Sequence, residues 1–127
     1  MRVHKAIAYG PHDRCKLDLF VPSQTERATG PLTNETVVFF YGGTWSGGQR
    51  WQYRFVGRQL ARAGACVLLP DYRTFPPARY PDFMLDSARV WGLAHARTSA
   101  RSSGRAPVLM GHTAGGHIAA QLVLNSR

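Results

Sequence analysis

Cysteine is scarce in this chain: Cys15 and Cys66 are the only two among 127 residues, and they share no motif. Nothing in the sequence demands a disulfide framework, and a reducing compartment is permitted. No His, Asp or Cys group has metal-ligand spacing, so no metal and no cofactor are expected. No apolar run approaches the ~20 residues of a membrane span. The stretch MRVHKAIAYGPHDRCKLDLF lacks the long apolar centre of a signal peptide. A cytoplasmic protein without a membrane partner is the expectation. Internal repeats and low-complexity tracts are missing as well, and the length suggests one domain, residues 1–127.

Acidic residues are few. Seven Asp and Glu stand against 16 Lys and Arg, a formal net charge of +9. Such an excess raises the question of a polyanion partner. There is no basic run, however, and no aromatic residues interleave with the cations as a base-stacking surface would require. No nucleic-acid partner is expected. The one ordered feature is Arg50, Arg54, Arg58 and Arg62, spaced by four, which forms a single stripe on a helix. Its expected role is a solvated helix face.

What the chain does contain is a set of short apolar runs separated by helical patterns. KLDLFV (16–21) alternates and predicts a strand, and the polar PSQTERATGPLTNE (22–35) predicts an exposed loop. TVVFFY (36–41), CVLLP (66–70) and PVLMG (107–111) are continuous runs of the kind buried on both sheet faces. Between the first two, Phe55, Val56, Leu60 and Ala63 recur at helical spacing opposite the Arg stripe, and Gly64 ends that helix. A second helix is predicted over 82–98, with Asp82 as its N-terminal cap, and a third after residue 114. Cys66 sits inside an apolar run and is expected to be a small buried hydrophobe. Strands alternating with helices predict an α/β fold with a parallel sheet and right-handed crossovers.

In such sheets sites gather beyond the carboxyl ends of the strands. Here those ends carry YGGTWSGG, PDYRTFPP and GHTAGG, three loops rich in Gly or Pro. GHTAGG after the strand PVLM has the shape of the nucleophile elbow G-x-S-x-G, with Thr in place of Ser. FFYGGTWSGG looks like the HGGG-type loop that follows an earlier strand. LLPDYRTFPPARYPDFMLDSARVWGLAHA resembles the connection between the two in esterases related to hormone-sensitive lipase and kynurenine formamidase. From about Tyr9 to Asn125 the chain thus resembles the α/β-hydrolase superfamily of the carboxylesterase type.

The resemblance implies a mostly parallel sheet with helices on both faces and about eight strands ordered 1-2-4-3-5-6-7-8, of which this chain covers the first part, a truncated α/β-hydrolase fold. It implies Thr113 at the nucleophile position. The backbone N–H groups of Gly43, Thr44 and Ala114 would form the oxyanion hole. Gly42, Gly111 and Gly115 would support the corners, with Asp71, Tyr72 and Arg73 bracing the loop beneath. The implied substrate is a small-molecule ester or amide.

The chain departs from the pattern at four places. Thr113 replaces Ser, and its extra methyl crowds the attack path. Tyr41 stands where the family often has His. Thr44 replaces a third glycine. In this fold the nucleophile is followed by an acid and then a His, and the sequence ends at Arg127 without either at a suitable distance. His112 flanks the nucleophile position and His117 lies four residues beyond it; His4, His12 and His95 belong to segments with no role as a base in the family. Two readings follow: an ester hydrolase whose nucleophile is Thr113, or a non-catalytic relative acting as a binding scaffold. The strand PVLM, with one edge unpaired, is expected to make the chain self-associating, or dependent on a separately supplied C-terminal half.

Overall fold

The computed structural model describes residues 1–11, 13–41, 49–71, 80–99 and 106–112. Among these lie the strands β1 (Arg2–Ala8), β2 (Lys16–Val21), β3 (Thr36–Phe40), β4 (Cys66–Pro70) and β5 (Val108–Gly111). The helices are α1 (Gln24–Thr29), α2 (Arg54–Arg62) and α3 (Tyr80–Ser99), and a 3-10 turn at Arg50–Tyr53 leads into α2.

The strands form one sheet in the order β1-β2-β4-β3-β5, the first five places of the order that the resemblance implies. Its centre is parallel, β3 pairing with both β4 and β5. An antiparallel hairpin extends it, β2 against β4 and β1 against β2, which gives the mixed sheet common among large α/β folds. Every residue of β3 and β4 is buried, as their unbroken apolar sequences predict. Helix α2 covers the face that carries Phe20 and its cross-strand neighbour Val67. Helix α3 covers the opposite face, where its Arg97 Nε lies 3.2 Å from Cys66 Sγ and its Asp86 Oδ1 lies 3.5 Å from Cys15 Sγ. Crossovers of one hand leaving the sheet in opposite directions put their helices on opposite faces.

Several local expectations need correction. The stretch 22–35 is not loop throughout. Ser23 Oγ accepts the Glu26 N–H at 3.1 Å, and Glu26 Oε1 accepts the Ser23 N–H at 2.8 Å. This reciprocal cap starts α1. The S-x-x-E signature was present in SQTE, but no apolar periodicity follows it, because α1 buries none of its residues. In α2 the buried line is Gly57 and Ala61, while Phe55 is 62% exposed. Gly57 is required there because an added Cβ would stand 2.5 Å from the Phe20 ring. Gly64, at φ +102°, ends the helix as expected. Helix α3 starts at Tyr80, which puts Asp82 inside the first turn and not at the cap. Its buried line runs through Asp86, Val90, Ala94 and Thr98, with Leu85 and Leu93 on the outer side.

Strand β5 was expected to be buried. Val108 and Met110 are instead 44% and 42% exposed, because β5 is last in the sheet order and, among the described residues, pairs only with β3. Strand β1 was not singled out in the sequence. It is largely exposed and interrupted by an irregularity between His4 and Ile7, so it shows no clean alternation.

Candidate functional site

The parallel register brings three chain segments to one edge of the sheet. Val38 lies opposite Leu68 and Phe40 opposite Gly111. Continuing past the strand ends, Tyr41 comes level with Asp71 on one side and His112 on the other. The His112 N–H donates to the Phe40 carbonyl at 3.1 Å, and its ring lies 6.4 Å from that of Tyr53. All three unusual segments therefore depart from the same edge. Thr113, Gly42, Gly43, Thr44, Ala114, Gly115, Tyr72, Arg73, His12 and His117 lie outside the described residues. Of the expected support residues, Gly111 closes β5 and Asp71 follows β4 directly.

Asp71 is the hub of this edge. It is only 4% exposed. Its Oδ1 accepts the Tyr41 hydroxyl at 2.7 Å and the Arg50 backbone N–H at 2.7 Å. Its Oδ2 takes the Arg50 Nη1, and its own backbone is fixed by a bond from its N–H to the Lys16 carbonyl at 2.9 Å. The Tyr9 hydroxyl donates to the Asp71 carbonyl. Arg14 Nη2 donates to the Tyr41 oxygen at 2.9 Å and sits 3.9 Å from Asp71 Oδ1. The Tyr41 ring stacks on Tyr53, with centroids 5.4 Å apart. The residue expected only to shape the glycine loop is thus a hydrogen-bond donor to a buried carboxylate.

A second carboxylate, Asp18, is fully buried beside it on the α2 face. Asp18 Oδ1 accepts Arg50 Nε at 2.8 Å and the Ala6 N–H at 3.0 Å, and Oδ2 accepts Arg54 Nε at 2.6 Å. Burial pushes the Asp18 carboxyl up, but hydrogen bonds from Arg54, Arg50 and the Ala6 amide outweigh it and hold Asp18 below its usual range. The same balance acts on Arg50. Burial favours its neutral form, and Asp18 and Asp71 overcome that and raise it further. Arg50 and Arg54 are therefore not a solvated face, which corrects the sequence expectation for half of the stripe. Arg58 and Arg62 are exposed. The signal that could have separated them was Asp18 itself, an acid inside a strand that needs a partner once the strand is buried.

On the other face Tyr9, Cys15, Asp86 and Arg89 form a smaller polar group. Burial raises the Tyr9 phenol far above its ordinary value, and the Asp86, Cys15 and Asp71 charges add to this. Tyr9 consequently stays a neutral donor to the Asp71 carbonyl. His4, His95 and His112 are exposed, and His95 packs edge-on against Trp91 with centroids 4.5 Å apart. Among the described residues, no three His, Cys, Asp or Glu side chains gather as metal ligands, and no helix is long and apolar enough to cross a membrane.

Comparison with known proteins gives the same picture from the sequence side. The family model described as alpha/beta hydrolase fold matches residues 37–127. An isoprenylcysteine alpha-carbonyl methylesterase from Arabidopsis thaliana is 33% identical over 126 residues, which is 97% of this chain and 28% of that protein. A kynurenine formamidase from Danio rerio is 29% identical over 117 residues, 92% of this chain and 37% of that protein. Esterase B from Lactobacillus rhamnosis has a similar structure, with a TM-score of 0.70 and 25% identity over 92% of this chain and 37% of its own. The chain spans well under half the length of these relatives.

Proposed function

This chain belongs to the alpha/beta hydrolase fold family, and from that premise we propose that it carries the nucleophile and oxyanion half of a carboxylic-ester hydrolase site. Thr113 is the nucleophile in this reading. Its hydroxyl attacks the carbonyl carbon of a small ester or amide. The N–H groups of Gly43, Thr44 and Ala114 receive the oxygen as it becomes negative. Donors of this kind are each worth roughly 3 kcal/mol when aimed at the developing charge. Gly42, Gly111 and Gly115 leave room for the tight corners, and Asp71 braces the edge from below. What supports the reading is the level alignment of Tyr41, Asp71 and His112 at the carboxyl ends of three parallel strands. In open α/β sheets that edge is where ligands bind.

A neutral hydroxyl is a weak nucleophile without a base to take its proton. After Thr113 the sequence AGGHIAAQLVLNSR holds no acid and a single histidine, His117. This reading takes the acid and the His from a separately supplied C-terminal part. The test is hydrolysis of p-nitrophenyl acetate by the 127-residue chain, alone and mixed with the C-terminal part of a related esterase. The chain alone is expected to match buffer, and the mixture to exceed it, more so for Thr113→Ser and not at all for Thr113→Ala. Turnover that survives Thr113→Ala would place the chemistry elsewhere. Turnover by the 127-residue chain alone, lost in Thr113→Ala, would remove the need for a supplied pair.

The second reading, a non-catalytic relative, is favoured by Thr113 itself. An elbow of this type asks for a positive φ, which a β-branched residue adopts at high cost. It expects no turnover from any of these forms, Thr113→Ser included.

A further inference from the structure

The glycine-rich segment 42–48 is entered at Tyr41 and left through Gln49 to Arg50. The residues on its two sides share one acceptor atom: the Tyr41 hydroxyl and the Arg50 backbone N–H both donate to Asp71 Oδ1, each at 2.7 Å. That oxygen belongs to the residue from which the 72–79 segment starts. Gln49 is fixed in turn, its N–H donating to Gln52 Oε1 at 2.9 Å while its carbonyl accepts the Gln52 N–H at 3.1 Å. The side chain of Arg50 then ties the same carboxylate to Asp18 on β2.

We infer that Tyr41, Arg50 and Asp71 form a clamp that sets the separation and direction of the two ends of the glycine-rich segment, making them positioning residues for the oxyanion donors. This rests on the reading given above, in which amides of that segment meet the carbonyl oxygen. The chemistry suits the task. One carboxylate oxygen has lone pairs for two donors, and bonds to an ionised acceptor are shorter and stronger than neutral ones. The Arg50 guanidinium on Oδ2 keeps the carboxylate turned so that Oδ1 faces both donors. Arg14 holds the Tyr41 hydroxyl from the other side at 2.9 Å, which directs its proton towards Asp71. The Tyr53 ring stacked on Tyr41 fixes the ring plane. Placement within about 0.5 Å matters for donors that must reach a developing charge.

The test is amide hydrogen exchange on the 127-residue chain, comparing wild type with Tyr41→Phe and Asp71→Asn. Tyr41→Phe keeps the ring and its stack and removes one donor. It is expected to speed exchange in residues 42–49 about tenfold, the factor corresponding to ~1.4 kcal/mol, with residues 66–69 of β4 unchanged. Equal rates in 42–49 would overturn the clamp. So would a rise of the same size in β4, since that marks general loosening and not positioning. Should Asp71→Asn fail to fold, Tyr41→Phe still decides. Ester hydrolysis is followed in the same samples, each mixed with the C-terminal part of a related esterase. Its absence in every form would count against the catalytic reading and leave the exchange result standing, so the two failures are distinguishable.

Discussion

The sharpest consequence of the structure concerns Asp18. The perturbation is Asp18→Asn, which keeps size and shape and removes the charge. In the folded chain this side chain is fully buried and accepts Arg50 Nε, Arg54 Nε and the Ala6 N–H. An amide offers one acceptor oxygen and puts an NH₂ against a guanidinium, so at least one Arg loses its partner. Bonds to charged groups are each worth about 1.5–3 kcal/mol, and breaking a buried pair from one side costs about 3–5 kcal/mol. Here both guanidinium groups keep some water, at 16% and 22% side-chain exposure, which draws the expectation to the lower end, about 3 kcal/mol. Against a total stability of about 5–15 kcal/mol that is a large share. For a chain of this size it corresponds to a fall in Tm of roughly 10–20 °C. Urea and thermal unfolding followed by circular dichroism measure it directly. The pH dependence gives a second handle. Because the Asp18 carboxyl is held below its unfolded value of about 3.9, its stabilisation is complete above that value and is lost as pH falls through the lower, folded one. Wild type should lose stability on that acid limb, and Asp18→Asn should lose correspondingly less. A loss under about 1 kcal/mol at neutral pH, with an unchanged acid limb, would refute the reasoning.

The same network bears on Ala6, which sits at φ +58° and turns its N–H onto Asp18. Ala6→Gly should stay within about 1 kcal/mol of wild type, whereas β-branched Ala6→Val should lose about 1–3 kcal/mol; urea midpoints decide, and equal midpoints for the two would show that the conformation carries no strain. At the other edge, the exposed Val108 and Met110 lie on β5, which among the described residues pairs only with β3. Sedimentation velocity should show wild type shifting to larger species as concentration rises and Met110→Lys remaining small; identical behaviour of the two would remove β5 as the associating edge.

How far the sequence carries depends on which physical signal each element leaves. The buried strands were legible because β3 and β4 are covered on both faces, and such burial writes an unbroken apolar run. That three odd segments follow strands ending on one edge was legible for a related reason: parallel strands put all their carboxyl ends on the same side of the sheet. Helix α1 and strand β1 were not legible, since each buries too little to impose a period. The Arg stripe shows the remaining difficulty. Spacing of four says that Arg50, Arg54, Arg58 and Arg62 share a helix face, but not where two carboxylates distant in sequence will arrive. Asp18 comes from β2 and Asp71 from the end of β4, and only the antiparallel pairing of those strands sets Asp18 beside Leu69, two residues before Asp71. Once paired in this way, two carboxylates buried side by side need cationic partners between them. Arg50 lies between them, and Arg54 completes Asp18. The stripe is therefore divided by the sheet register: its first half neutralises buried charge and holds the edge from which the glycine-rich segment leaves, and its second half meets water.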